Sequence, residues 1–303
     1  MGFFSVFMSG TWSLIRGVLR KRSGGTSPVM VRHSSQPVDE ERSRRVKAAL
    51  GGNVEAQLNL AVDYAEGRDG VAQDYAEAAR WYFMAAKAGS AEGQFGYAVC
   101  LANGQGVGQD YAEAVRWFEK AAVQGNAAAR VSLGVCLQKE LGVLGRRDEA
   151  ARWFRLAAEQ GDAAGQVSLA ECLLAGEGVP VNETEAFGWF RLAATQGLRE
   201  AQYSLGLCYE KGQGVTADEG EAFVWFERAA RQHLAQAELK MSLCHYFGRG
   251  VCPDMIESYK WACLAAGRGL GAAASQRDRV ASEMSLRDIA EGDRRVAAER
   301  ARH

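Results

Sequence analysis

Six tryptophans stand 36 residues apart, at Trp81, Trp117, Trp153, Trp189, Trp225 and Trp261. Four and five positions after each comes a pair of alanines, from Ala85/Ala86 to Ala265/Ala266. A glycine closes most copies, at Gly89, Gly125, Gly161, Gly197 and Gly269, with His233 in that place in the fifth. A catalytic site is not written six times over, whereas a structural unit is, so the period identifies a repeat architecture.

Each copy reads as two helices. In the fifth, Ala201, Leu205, Gly206 and Tyr209 fall at helical spacing and give one packing face. Gly212 and Gly214 in "KGQGV" then break the chain, because glycine takes the positive φ angles that other residues resist. Ala222, Trp225, Phe226, Ala229 and Ala230 form the opposing stripe of the second helix. The small residues let the two helices approach, and the tryptophan is expected to fill the gap between them. Truncating Trp153 to alanine should then cost about 3–5 kcal/mol through the cavity left behind. One such pair cannot bury its apolar faces alone, so the copies must stack.

The pattern A-x-A-x-x-x-L-G-x-x-Y-x-x-G-x-G-V, followed by A-x-x-W-x-x-x-A-A-x-x-G, resembles the Sel-one-like repeat, a relative of the tetratricopeptide repeat. The resemblance covers residues 52–269. It implies an all-α fold: an α-solenoid, or superhelix, of six 36-residue helix-turn-helix repeats that serves as an adaptor in protein assemblies. Local departures are an extra residue in "EGRDGV", Glu140 at a turn glycine, and Met241-Ser242 in place of Leu-Gly. Residues 39–51 read as a linker or first capping helix. Residues 270–303 read as a helical C-terminal cap, in which Ser285 and Asp288 suit a capping box.

Charge separates the N-terminal tail from the repeats. Residues 1–38 hold Arg16, Arg20, Lys21, Arg22 and Arg32 and no acid, leaving 31 of the 36 basic residues against all 37 acidic ones. A net charge of −1 gives no argument for nucleic acid as a partner. Phe4, Met8, Ile15 and Val18 fall on one side of a hypothetical tail helix, opposite serines and arginines. That acid-free amphipathic start suits a mitochondrial presequence, with a cytoplasmic protein as the alternative. Kept in the mature chain, the same segment would make a membrane-surface anchor. No run of 18 uncharged apolar residues exists to span a bilayer.

Candidate chemistry is sparse. Cys100, Cys136, Cys172, Cys208 and Cys244 occupy one repeat position, spaced by 36, and read as small buried hydrophobes. The sixth repeat concentrates Cys244, His245, Cys252 and Cys263, without a C-x-x-C knuckle. A metal- or redox-active factor centred there is the runner-up reading. "GQGVGQD" lacks the Lys-Ser/Thr of a phosphate-binding loop and recurs as a turn. None of the four histidines joins a nucleophile motif, so the expectation is a protein that is not an enzyme, with no cofactor and no metal.

By analogy with the tetratricopeptide repeat, first helices line the concave face. The positions two before and two after the Leu of Leu-Gly should then point inward. Phe95, Val99, Val131, Val135, Val167, Tyr203 and Leu207 are the candidate partner-binding residues, for an amphipathic helix or extended peptide. The same positions are alternatively core, packed between adjacent first helices.

Overall fold

The computed structural model describes residues 36–301, with side chains from Arg42 onward, and every regular element in that range is a helix. The chain divides into two compact units, to Ala129 and from Arg130.

The first unit carries α1 (Gln36–Leu50), α2 (Val54–Glu66), α3 (Tyr75–Lys87), α4 (Ala91–Asn103) and α5 (Tyr111–Val123). Helix α1 packs on α2, where Arg45 Nη1 lies 2.7 Å from Asp63 Oδ2 and Ala49 lends its carbonyl oxygen to Gln57 Nε2 at 2.9 Å. The division falls early in α6 (Ala127–Lys139).

In the second unit follow α7 (Arg147–Glu159), α8 (Ala163–Ala175), α9 (Glu183–Thr195), α10 (Arg199–Lys211), α11 (Glu219–Arg231), α12 (Ala235–Phe247) and α13 (Met255–Gly267). Two further helices close it, α14 (Gly271–Ser282) and α15 (Leu286–Ala301). Ser285 starts α15 as expected, its hydroxyl accepting from the Asp288 backbone N–H at 3.2 Å.

Side-chain caps fix most helix starts. Asp74, Asp110, Asn182, Asp218 and Asp254 each accept a backbone N–H from the first turn of a second helix. The paired turn glycines do two jobs. Gly212 takes φ +70 as the helix C-cap. Gly214, also at φ +70, passes so close to the Glu183 carbonyl that an added Cβ would lie 2.1 Å from its oxygen.

The alanine pairs form the seats on which the next first helix rides. A Cβ on Gly165 would stand 2.6 Å from the Ala157 Cβ, so glycine and alanine together set the helix separation.

The tryptophan column does not fill the gap in every copy, which corrects the sequence expectation. Trp153 and Trp189 are only half-buried. The side chains sealed between the helices are their successors Phe154, Phe190 and Phe226, each 1–2 % exposed. These rings explain the Leu-Gly glycine. A Cβ on Gly134 would meet Phe154 Cε1 at 2.4 Å, and one on Gly206 would meet Phe226 Cε1 at 2.6 Å. In the sixth repeat the ring is absent, since Ala262 stands there. The glycine has become Ser242, whose hydroxyl lies 3.2 Å from that of Ser258.

Buried first-helix glutamines accept from exposed glutamines at the ends of the following helices. Gln124 Nε2 donates to Gln94 Oε1 at 2.8 Å in the first unit. Gln196 donates to Gln166 at 2.9 Å and Gln232 to Gln202 at 2.8 Å in the second. Because each first-helix glutamine is buried, an unpaired amide there would cost about 1–3 kcal/mol.

Candidate functional site: the first-helix face

The candidate partner-binding residues separate by burial. Phe95 and Val99 of the first unit are buried, as are Val131, Val135 and Val167 of the second. They have the burial of core side chains. Phe95 lies against Phe118, ring centroids 5.9 Å apart. Tyr203 and Leu207 on α10 are half-buried and keep surface. Leu239 and Leu243, at the same two positions on α12, are likewise half-buried.

Beside this apolar strip lies the ion pair of Lys240 with Glu210. Lys240 Nζ sits 2.6 Å from Glu210 Oε2 and 5.6 Å from the Phe226 ring centroid. Glu171 breaks the apolar column in register with Val135, Leu207 and Leu243. It is exposed to solvent, so water offsets the upward push that the surrounding protein gives its carboxyl. Lys139 pulls its pKa down and Glu177 pushes it up. The sequence displayed this lone carboxylate in an apolar column, but nothing there distinguished it from an ordinary surface glutamate.

The five periodic cysteines are all buried with free thiols. Burial pushes Cys100, Cys136 and Cys172 up to about 12, and Cys208 and Cys244 up to about 11. In the sixth repeat Cys252 is exposed and Cys263 half-buried. His245 is buried with its ring edge-on to Phe223, and burial lowers its pKa. Among the described residues, no three histidine, cysteine or acidic side chains stand together as a metal site, and no helix is long and apolar enough to cross a membrane. The tail residues from Phe4 to Val18, on which the presequence and membrane-anchor readings rest, lie outside the described residues.

Comparison with known proteins bears on the whole array. The Sel1 repeat model matches six times, over residues 54–90, 91–126, 127–162, 163–198, 199–234 and 235–270. A Sel1 repeat protein from Oxalobacter formigenes has a similar solved structure, with TM-score 0.66 and 29% identity, covering 71% of this chain and 85% of that one. So does a protective antigen of uropathogenic Escherichia coli displaying an SLR fold, with TM-score 0.56 and 28% identity over 85% of this chain. The chain spans 63% of that antigen's length. Comparison with curated proteins returns no match. With the matched copies running from residue 54 to residue 270, the chain belongs to the Sel1 repeat family.

Proposed function

We propose that this chain is a non-enzymatic adaptor that binds a protein segment on its first-helix face. Sel1 repeat solenoids typically bind proteins. The observation that carries the reading here is the half-buried strip of Tyr203, Leu207, Leu239 and Leu243 on two neighbouring first helices. Apolar side chains left partly open in register on adjacent repeats suit the apolar side of an extended or helical peptide.

The test is capture of partners from native cells by the wild-type chain and by Leu207→Gln/Leu243→Gln. Equal helicity by circular dichroism must be established first. A partner lost from the variant alone supports the strip as the binding surface. The same partners held by both proteins would sink it. For location, the tail composition favours import into mitochondria, and N-terminal sequencing of the mature protein tests that. An intact tail on protein from purified mitochondria, or its absence from them, overturns a cleaved presequence.

A further inference from the structure

The helices after the sixth repeat do not continue its packing. Within each repeat the two helices pack on each other, as α10 does on α11 and α12 on α13. Helices α14 and α15 instead both pack on α13 and hardly touch each other. Arg295 Nη1 lies 2.7 Å from Glu257 Oε1, and the Tyr259 hydroxyl donates to Asp293 Oδ1 at 3.2 Å, so α15 is tied to α13. Gly292 lies against the Tyr259 ring, where an added Cβ would come within 2.6 Å of Cδ1. Between the diverging helices remains a cleft of about 530 Å³, lined by all three.

Its floor is apolar and its rim charged. Tyr259 and Val296 are buried, and Ala274 and Ala281 add small side chains from α14. Two guanidiniums enter from different helices, Arg277 from α14 and Arg300 from α15. Arg277 is engaged, with Nε and Nη2 at 2.8 and 2.6 Å from Asp278 Oδ1. Arg300 forms no hydrogen bond or ion pair with any described residue. It lies across Gly267, where an added Cβ would stand 2.9 Å from Nη2. The equivalent positions Glu159, Thr195 and Arg231 all carry side chains, so this copy alone in the second unit makes that room.

We infer that the cleft binds a small carboxylate with an aromatic body, the carboxylate on the Arg300 fork and the ring against Tyr259 and Val296. A planar fork of donors matches a carboxylate in two parallel hydrogen bonds. An apolar pocket of a few hundred Å³ with few polar groups is the usual form of a small-molecule site. Asp278 and Asp293 offset the two guanidiniums, which leaves no surplus of positive charge for a dianion such as a phosphate monoester. The site lies apart from the strip on α10 and α12 and does not depend on it.

Cys263 lines the cleft and is half-buried, so an occupant should shield its thiol, while the exposed Cys252 serves as the internal reference. The probe is benzoate, with benzamide as its uncharged counterpart, and the readout is the iodoacetamide labelling rate of each cysteine in the full chain. Benzoate should slow Cys263 and spare Cys252, and benzamide should do neither. Burial pushes the Cys263 thiol up, and Arg277 and Arg300 pull it back, so each variant is compared with itself with and without benzoate. Arg300→Gln should raise the benzoate concentration giving half-protection about tenfold, the scale of a lost hydrogen bond to a charged group. Arg300 is exposed, so that change leaves the core alone. Gly267→Leu, which crowds Arg300 out of its place and keeps its charge, should weaken protection in the same direction. Equal protection by benzamide, or undiminished protection of Arg300→Gln, would overturn the carboxylate assignment. Failure of benzoate to slow Cys263, or equal slowing of Cys252, would overturn the site.

Discussion

Arg268 Nε lies 2.9 Å from Glu238 Oε1 and 3.0 Å from Oε2, in the place where earlier repeats join two glutamines. Both members of the pair have changed together, from amide–amide to cation–carboxylate. Glu238 is 1% exposed, so its carboxylate depends on that guanidinium.

Arg268→Gln should therefore destabilise the second unit by about 2 kcal/mol, below the cost for a fully buried pair because Arg268 itself is partly exposed. The double change Glu238→Gln/Arg268→Gln recreates the older amide pair and should recover stability to within about 1 kcal/mol of wild type. The pH dependence has a definite sign. Burial raises the folded pKa of Glu238 above its ordinary value, against the lowering effect of Arg268. A raised carboxylate contributes stability below the unfolded value that is lost as pH rises through the folded one. Without Arg268 the folded value is higher still, so the deficit of Arg268→Gln should grow between pH 5 and pH 8. Urea melts across that range check it, and a deficit that shrinks with pH would contradict the assignment.

Phe154 and Trp153 are neighbours in sequence with different burial. Phe154 is sealed against Gly134, whereas Trp153 keeps part of its surface in water. Phe154→Ala should cost about 3–5 kcal/mol, and Trp153→Ala measurably less because fewer contacts and a smaller cavity are involved. Chemical denaturation of the two variants decides the order. Equal losses, or a larger loss at Trp153, would restore the tryptophan to the role that its periodicity first suggested.

The period of 36, the two helices per copy and the glycine turns were legible because each is a local rule repeated six times. Which of two adjacent aromatics seals the interior was not. Successive helix positions differ by about 100° in direction, and a helix rotation of that size exchanges Trp153 for Phe154. Similarly, Val131, Val135 and Val167 sit on a face whose closeness to the next repeat decides between core and groove. That separation belongs to the packing of small residues such as Gly165 on Ala157. The glutamine pairs were in the sequence as well, 30 residues apart in three copies, but they bridge different helices and become a pair only when those helices are set side by side.

His233 stands where five copies have glycine, and it adopts φ +63. The glycines there lie at φ between 85 and 92. A side chain in this left-handed region costs about 1–2 kcal/mol, and glycine's greater freedom in the unfolded chain returns about half of that. His233→Gly should accordingly stabilise the protein by about 0.5–1 kcal/mol, measured by chemical denaturation. The converse change, Gly197→Ala, should destabilise by about 1 kcal/mol although its Cβ would meet nothing within 4 Å. A neutral Gly197→Ala would mean that the turn relaxes to accept the side chain.

The cysteines give a direct measure of how firmly the helices stay together. At pH 8 a thiol held near 12 is about one part in ten thousand thiolate, the form that alkylating reagents attack. Burial also keeps the reagent out. Brief treatment of the native protein with iodoacetamide should label Cys252 first, Cys263 more slowly, and the five periodic cysteines last, as read by peptide mass spectrometry. Adding urea should release Cys136, Cys172, Cys208 and Cys244 together if the second unit unfolds as a block, with Cys100 reporting on the first unit, or in sequence if repeats open singly. Native labelling of Cys136 as fast as that of Cys252 would mean that the first helices separate without denaturant, and the buried valines Val131 and Val135 would then be open to a partner after all.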